Sequence, residues 1–203
     1  MKAGVKIGLW LVIVVLSYLV YNSITGKIAF EDETKRRRDI VIERLEDIRI
    51  AQLAYKSANE KYAKNFDQLL DFVKQDSFLV IKALGTVPDT LTDSAAVEMG
   101  IVTRDTVFLS VKDSIFSKSY LKDHKSTFYI DSIPYIPFGA GTLFDIDAGQ
   151  VEKGKVKVQV FEIFARYKHI YLGLDTENES IDLEDGLKVG SMDEPSTSGN
   201  WGE

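Results

Sequence analysis

The chain has 203 residues, a formal net charge of −6 and no cysteine. This length suits one folded domain, and the lack of cysteine excludes disulfides, thiolate metal ligands and lipoprotein anchors. The surplus of acids, all of which arises in residues 175–203, argues against nucleic acid as a partner.

Residues 7–24 form an uninterrupted apolar segment without Asp, Glu, Lys or Arg. As a helix this segment is about 27 Å long, close to the ~30 Å hydrocarbon core of a bilayer. Aromatic rings lie near both of its ends, where membrane interfaces favour them. The sequence therefore predicts a transmembrane helix, and its anchor residues are Trp10, Leu11, Val12, Ile13, Val14, Val15, Leu16, Tyr18, Leu19, Val20 and Tyr21.

Two other interpretations of this segment stay open. Lys2 and Lys6 resemble the basic start of a cleaved signal peptide, although no small-x-small cleavage site follows the apolar core. The segment could also be the core helix of a soluble protein, but it is apolar on every face. We favour an uncleaved anchor preceded by a short tip, residues 1–6.

The orientation of the anchor rests on basic residues on both sides of it. Lys27 and residues 35–38 follow the segment, and a plain count of positive charges places the body in the cytoplasm. Three acids, residues 31–33, precede that basic run, and a small basic tip favours the opposite orientation. We therefore expect an inner (cytoplasmic) membrane protein with its body on the periplasmic or extracytoplasmic side.

From residue 31 the sequence predicts a long amphipathic helix, with a weak point before it at Gly26. Acids and bases alternate at i,i+4 in three pairs: Glu31 with Lys35, Asp32 with Arg36, and Glu33 with Arg37. The basic run then forms an ion-paired helix surface or, alternatively, a clamp for anionic lipid headgroups. One face of the helix carries Val41, Leu45, Ile48, Gln52, Tyr55, Ala58 and Tyr62, a packing stripe that the body or a partner must cover.

The rest of the chain alternates a few short helices with strands. Asn65 and Gln68 have capping-box spacing for a second helix, with Phe66, Leu69, Leu70 and Val73 inward. We expect a short helix at 95–99, strands at 78–84, 106–111 and 127–130, and a hairpin formed by 142–146 and 155–165. In the last segment the apolar register changes at Val160 and Phe161, which indicates a bulge or a strand covered on both faces.

The predicted fold is α+β: a transmembrane helix continues into a long amphipathic helix that packs on an antiparallel β-sheet. Its parts are the tip 1–6, the transmembrane helix 7–24, a linker and stalk helix 25–65, a globular body 66–174 and an acidic segment 175–203. The acidic segment contains nine acids and one base. We expect it to be a solvated end.

The sequence contains few residues that indicate catalysis. Its two histidines, His124 and His169, have no metal-binding spacing, and hydrolase and phosphate-loop motifs are absent. Asp145 and Asp147 alternate with Phe144 and Ile146, so both carboxylates lie on one face of the predicted strand. They either face solvent without a chemical role or take part in acid–base chemistry or Ca²⁺ binding. Six aromatic residues between 129 and 164 favour core packing over a ligand cluster. We predict no enzyme activity, no cofactor and no metal.

The stretch from Arg49 to Val73 resembles the segment after the stalk helix in type IV pilins and pseudopilins. It contains the Ala54-Tyr55 pair, Tyr62 and an aromatic-x-x-Leu turn from Phe66 to Leu69. The resemblance implies a pilin-like body and a role in assembly. The pilin processing motif is absent, because Gly4 is followed by Val5-Lys6-Ile7 and no Glu enters the apolar segment.

The chain is also similar to single-pass envelope proteins of Bacteroidota in its FDIDAG and terminal GNW stretches. That resemblance implies an envelope location and no particular activity. We therefore expect a structural or assembly component whose partners are the lipid bilayer and other membrane or envelope proteins, including further copies of the chain. A membrane-tethered ligand-binding or sensory module is the alternative.

Overall fold

A computed structural model describes residues 3–84, 92–123, 129–177 and 179–202, and it has an α+β fold. The helices and strands in chain order are α1 Ala3–Asn59, α2 Phe66–Gln75, β1 Ser77–Leu84, α3 Asp93–Glu98, β2 Thr103–Ser110, α4 Val111–Ile115, α5 Lys118–Asp123, a 3₁₀ helix Ile130–Ser132, β3 Asp145–Lys153, β4 Val156–Arg166, α6 Tyr167–Ile170 and β5 Gly186–Gly190. Strands β1 and β2 form an antiparallel pair, and β3-β4-β5 form a three-stranded antiparallel sheet.

Helix α1 runs without interruption from the apolar segment into the body. Its 57 residues correspond to a rod about 86 Å long. The expected weak point at Gly26 is helical, and the neighbouring Thr25 hydroxyl donates to the Tyr21 carbonyl at 2.8 Å. One glycine costs only about 1 kcal/mol relative to alanine inside a helix, so long helical flanks can carry it.

The C-terminal half of α1 lies at the centre of the core. Val41, Leu45 and Ile48 are fully buried, and Gln52 continues the same face with no exposed surface. Tyr55 is half-buried, with its ring edge-on to Phe72 at 5.2 Å. These spacings of three and four residues place one continuous stripe against the sheet and the smaller helices.

The stripe ends differently from the sequence expectation. Ala58 is exposed, and α1 stops at Asn59, where Glu60 adopts a left-handed φ of 60°. Tyr62 therefore lies beyond the helix. It is still buried, and its ring contacts Phe161 with 4.5 Å between centroids. The turn at Glu60 folds Tyr62 back over the sheet.

Helix α2 has the predicted capping box. The Asn65 side chain accepts a hydrogen bond from the Gln68 amide at 2.9 Å, and the Gln68 side chain accepts from the Lys64 amide at 3.2 Å. Phe66, Leu69 and Val73 are buried as predicted, but Phe72 replaces Leu70 as the fourth buried residue. Phe72 gains the contact with Tyr55, whereas Leu70 is only half-buried.

Strands β3 and β4 form a hairpin whose pairing is unbroken from Asp145 opposite Phe164 to Lys153 opposite Val156. The first strand was predicted at 142–146, but residues 142–144 precede β3, and residues 148–153, which we expected in the turn, extend it. The connection is instead a tight turn at 154–155, and Gly154 has the positive φ (71°) that a type II′ turn requires.

Both faces of β4 are covered at its centre. Phe161 and Ile163 are fully buried on the core face, and Val160 is 1% exposed on the opposite face. Because the ladder has no bulge in this hairpin, coverage of both faces explains the register change in the sequence.

The acidic C-terminal segment is part of the fold, which corrects the expectation of a solvated end. β5 pairs with β4, and Leu187 and Val189 are buried in the core. The Asn200 side chain then holds the chain back against β5: its amide donates to the Gly186 carbonyl at 2.9 Å, and its oxygen accepts from the Lys188 amide at 3.0 Å.

The remaining predictions are confirmed only in part, and helices α4, α5 and α6 were not predicted. β2 ends at Ser110, and Val111 starts α4 as a fully buried residue. The short helix predicted at 95–99 begins at Asp93 and ends before Gly100. Of the strand expected at 127–130, residues 127 and 128 lie outside the described residues, and Ile130 belongs to the 3₁₀ helix.

Candidate functional site: an exposed apolar helix, a collar and a cleft

The N-terminal third of α1 has an exposed apolar surface on all sides. Its large hydrophobic side chains range from 45% exposed at Ile13 to 69% at Tyr21, and no described part of the chain covers them. Within the described residues this is one helix long and apolar enough to cross a membrane. The exposed set contains the predicted anchor residues Trp10, Leu11, Val12, Ile13, Val14, Val15, Leu16, Tyr18, Leu19, Val20 and Tyr21.

A short exposed section of helix separates this apolar segment from the body. Lys27 and Ala29 are exposed and Ile28 is 54% exposed, whereas Phe30 is half-buried. Full burial in α1 begins at Val41. The helix therefore leaves the body as a free rod before its apolar segment begins.

Where the rod meets the body, one carboxylate binds two arginines. Glu33 accepts hydrogen bonds from the Arg36 guanidinium at 2.7 and 2.8 Å and from Arg37 Nε at 2.8 Å. These two guanidinium groups lower the pKa of Glu33 to about 2. The predicted Glu33–Arg37 pair is present, while Arg36 bonds to Glu33 rather than to Asp32 as expected.

Arg37 also connects the helix to distant loops. Its Nη1 donates to the carbonyls of Ile170 at 3.1 Å and Leu172 at 3.0 Å. The guanidinium groups of Arg37 and Arg36 lie 4.8 and 5.1 Å from the Phe138 ring centroid. We call Glu33, Arg36, Arg37 and Phe138 the collar, because they fix the point where the rod enters the body.

Ionisable side chains deeper in α1 also hold neighbouring elements. Asp47 is 2% exposed and accepts a hydrogen bond from the Tyr120 hydroxyl of α5 at 2.9 Å. Burial and the carboxylate raise the pKa of Tyr120. Arg44, whose pKa burial lowers, donates to Ser132 Oγ at 2.8 Å. Asp47 is not on the predicted packing stripe, and no local feature of the sequence indicates that α5 covers it.

At the end of the body away from the collar, an open cleft of about 570 Å³ lies between the segment after α1 and the β3–β4 hairpin. Ala148 and Phe161 pair on the core face, and the next pair on that face is Gln150 with Gln159. The cleft therefore begins where the core face of the sheet becomes polar. Its lining residues are Lys61, Tyr62, Lys64, Gln68, Ala148, Gly149, Gln150 and Gln159.

The polar lining of the cleft has one sign of charge. Lys61 and Lys64 supply two ammonium groups, and no carboxylate is among the lining residues. The sequence alone does not predict this site. Its halves are about 90 positions apart in the chain, and no local motif indicates that the turn at Glu60 brings them together.

Of the residues considered for metal or acid–base chemistry, Asp145 and Asp147 line one open pocket of about 290 Å³. Asp145 forms an ion pair with Arg166, and Asp147 accepts from the adjacent Ala148 amide at 2.8 Å. His169 is half-buried on α6, whereas His124 lies outside the described residues. Among the described side chains, no group of three or more His, Cys, Asp or Glu could hold a metal ion.

The aromatic residues of the second half of the chain are also dispersed. Phe144 and Phe161 are core residues, and Tyr129 and Tyr135 are 64% and 46% exposed. Phe138 belongs to the collar. Core packing is therefore confirmed for Phe144 and Phe161 and is wrong for the exposed Tyr129 and Tyr135.

Comparisons with protein-family models, curated proteins and solved structures found no match to this chain. A function for the chain therefore has to be argued from its own residues.

Proposed function

We propose that the chain is a single-pass envelope protein anchored in the inner membrane, with a non-enzymatic structural or assembly role. Residues 7–24 cross the bilayer, and the body lies on the extracytoplasmic side. The observation that carries the proposal is α1, which joins an exposed apolar segment to the core of a folded body without a break.

The energetics of the apolar segment favour lipid as its covering. It contains eleven Leu, Ile or Val residues, each favouring insertion by roughly 0.3–0.6 kcal/mol, for a total of about 3–7 kcal/mol. In water the same side chains would form an exposed apolar surface far larger than soluble monomers carry.

A pilin- or pseudopilin-like assembly role is consistent with this layout. A long helix whose first third is apolar and whose last third packs on an antiparallel sheet supports the resemblance of residues 49–73 to that family. In such a role the anchor segment and the exposed rod contact other membrane or envelope proteins, including copies of this chain.

In this proposal the collar stabilises the junction between α1 and the body and does not bind lipid headgroups. Lys35 lies eleven residues beyond Ile24, about 17 Å along an upright helix. The headgroup layer is only about 5–8 Å thick on each side of the hydrocarbon. Arg36 and Arg37 also bind Glu33 and Phe138. Both observations favour the ion-paired helix surface over the lipid clamp.

Val14→Arg tests the anchor, with Val14→Leu as the matched control. An arginine at the centre of a membrane helix costs about 2.5–3.5 kcal/mol of insertion. We expect the arginine variant to be partly released by alkaline carbonate, while wild type and Val14→Leu stay in the membrane fraction. Release of wild type, or a mature N-terminus beyond residue 24, would contradict the proposal. A reporter fused after Glu203 fixes the orientation.

The assembly role has a separate test. After extraction in mild detergent, native mass measurement should find the chain in a complex with itself or with other membrane proteins. A monomer under all mild conditions would count against an assembly role without affecting the anchor.

The cleft favours a second candidate function, a membrane-tethered ligand-binding module. Its volume of about 570 Å³ falls within the ~300–1,000 Å³ range of small-molecule sites. Its polar lining also differs from the ion-paired surfaces elsewhere on the body. A tethered binder and an assembly component are compatible in one chain, because the cleft and the anchor lie at opposite ends of it.

A further inference from the structure

We infer that the distal cleft binds a carboxylate-bearing saccharide, with Lys61 and Lys64 holding the carboxylate and Gln150 and Gln159 holding hydroxyl groups. This inference rests on the ligand-binding candidate proposed above. It is independent of the anchor and of the assembly role.

The first support is that the core holds the lining in place. Gln52, fully buried in α1, donates to the Ala63 carbonyl at 3.0 Å and accepts from the Ala63 amide at 2.9 Å. Tyr62 packs on Phe161, and Gln68 accepts from the Lys64 amide. The segment that carries both lysines is thus fixed on each side, so a ligand meets a largely preformed site.

The second support is charge. The chain carries a net charge of −6, yet the cleft presents two ammonium groups and no carboxylate. Within the described residues neither Lys61 nor Lys64 has an ion-pair partner. Some other basic side chains of the body do: Arg166 binds Asp145, and Lys188 binds Glu162 at 3.1 Å. An anionic group bound in the cleft would form charge-assisted hydrogen bonds with these two exposed ammonium groups.

The third support is the pair of amides opposite each other on the sheet. Gln150 is exposed and Gln159 half-buried, and neither side chain makes a hydrogen bond in the part of the chain that the structure describes. Each amide donates and accepts at once, and so does a sugar hydroxyl. The lining of the cleft thus combines two ammonium groups with two amides that have no hydrogen-bond partner among the described residues. A saccharide with an acidic group therefore fits it better than an acidic peptide.

The test is calorimetric titration of the full-length chain in detergent micelles. The probe is tri-galacturonate, and the comparison ligands are a neutral trisaccharide, maltotriose, and the peptide triglutamate. We expect saturable binding of tri-galacturonate that weakens with salt, and weaker binding of the other two ligands. The double variant Lys61→Gln/Lys64→Gln should lose roughly tenfold or more in affinity.

Two further variants complete the design. Gln150→Ala/Gln159→Ala should reduce tri-galacturonate binding while leaving the salt dependence intact. Lys112→Gln/Lys118→Gln, which removes the same charge from exposed positions outside the cleft, should bind as wild type. Absence of saturable binding, equal binding of triglutamate, or equal loss in the control pair would each overturn the inference. None of these results would alter membrane retention, so failure here is distinguishable from failure of the anchor.

Discussion

Gln52 places its side-chain amide in the interior, where, among the described residues, Ala63 is the partner in both of its hydrogen bonds. Gln52 and Ala63 are eleven residues apart in the chain, and their two hydrogen bonds hold the turn that follows α1. Because the site has no access to solvent, each backbone group of Ala63 depends on this side chain for a partner.

We expect Gln52→Leu to destabilise the body by about 2–4 kcal/mol, because it leaves a buried N–H and a buried C=O without partners while nearly keeping the volume. The measurement is guanidinium unfolding followed by fluorescence in a Trp10→Phe background, which leaves Trp201 as the one tryptophan. Gln75→Leu, at an exposed position of α2, is the control and should shift the midpoint little. Equal midpoints for the two variants would refute this role of Gln52.

Glu33 gives the collar a defined pH dependence. Its pKa is about 2 in the folded chain, below the ordinary value of 4.5, because Arg36 and Arg37 bind the carboxylate. Between these pH values the unfolded chain binds the proton more tightly, so the stabilisation present above pH 4.5 is lost as the pH falls toward 2.

The variant Glu33→Gln should therefore unfold at lower denaturant concentration than wild type at pH 7, and the difference should shrink steadily from pH 4.5 to pH 2. Asp32→Asn, which removes the same charge at an exposed neighbouring position, is the control and should unfold close to wild type at pH 7. A gap between wild type and Glu33→Gln that stays constant over this range would mean that the carboxylate is not bound by the arginines.

At the scale of elements, the uninterrupted course of α1 predicts a single distance along it. Spin labels at Ser17→Cys and Ser57→Cys, both exposed positions, are forty residues apart and about 60 Å apart in one helix. The chain has no native cysteine to compete for label. Pulsed dipolar spectroscopy on the protein in lipid nanodiscs should give one narrow distribution near that value.

The matched variant replaces Thr25 and Lys27 by glycine, which gives three consecutive glycines with Gly26. It should broaden the distribution and shorten its mean distance. If wild type already gives the broad distribution, a hinge exists at Gly26 and the rod is not continuous.

Element-level prediction succeeded where a short stretch contains the whole signal. The capping box needs only Asn65 and Gln68, and the register change at Val160 was correctly limited to two explanations. Prediction failed where a contact between residues far apart in the sequence determines which residue is buried or paired. Phe72 is buried instead of Leu70 because Tyr55 meets it, and residues 148–153 extend β3 because β4 pairs with them.

At the scale of the molecule, the C-terminal segment is a structural part of the sheet. Nine acids in its sequence suggested solvation, but Leu187 and Val189 alternate with Lys188 as a strand covered by α1 requires. The acidic composition of these 29 residues concealed the alternating apolar pattern of the five-residue strand β5. The cleft was missed for a related reason, since its lysines and glutamines come from segments that only the folded chain brings together.

Deletion of residues 186–203 should therefore prevent stable folding of the body, because it removes β5 and exposes the core face of α1 and β4. A deletion of the last two residues alone should be tolerated. Limited proteolysis in detergent distinguishes the two cases by the loss or persistence of a resistant fragment. Resistance equal to wild type after the longer deletion would show that β5 is dispensable.

The continuous helix α1 also fixes the rotational orientation of the body about the membrane normal. Each residue of an α-helix advances by about 100°, so one residue inserted between Gly26 and Glu31 would swing the lobe by more than a quarter of a revolution relative to the lipid-embedded portion. Seven inserted residues would nearly restore the original rotation of the body and would move it about 10 Å farther from the membrane. A partner that contacts both the membrane helix and the body is therefore affected more by rotation of the body than by its distance from the membrane.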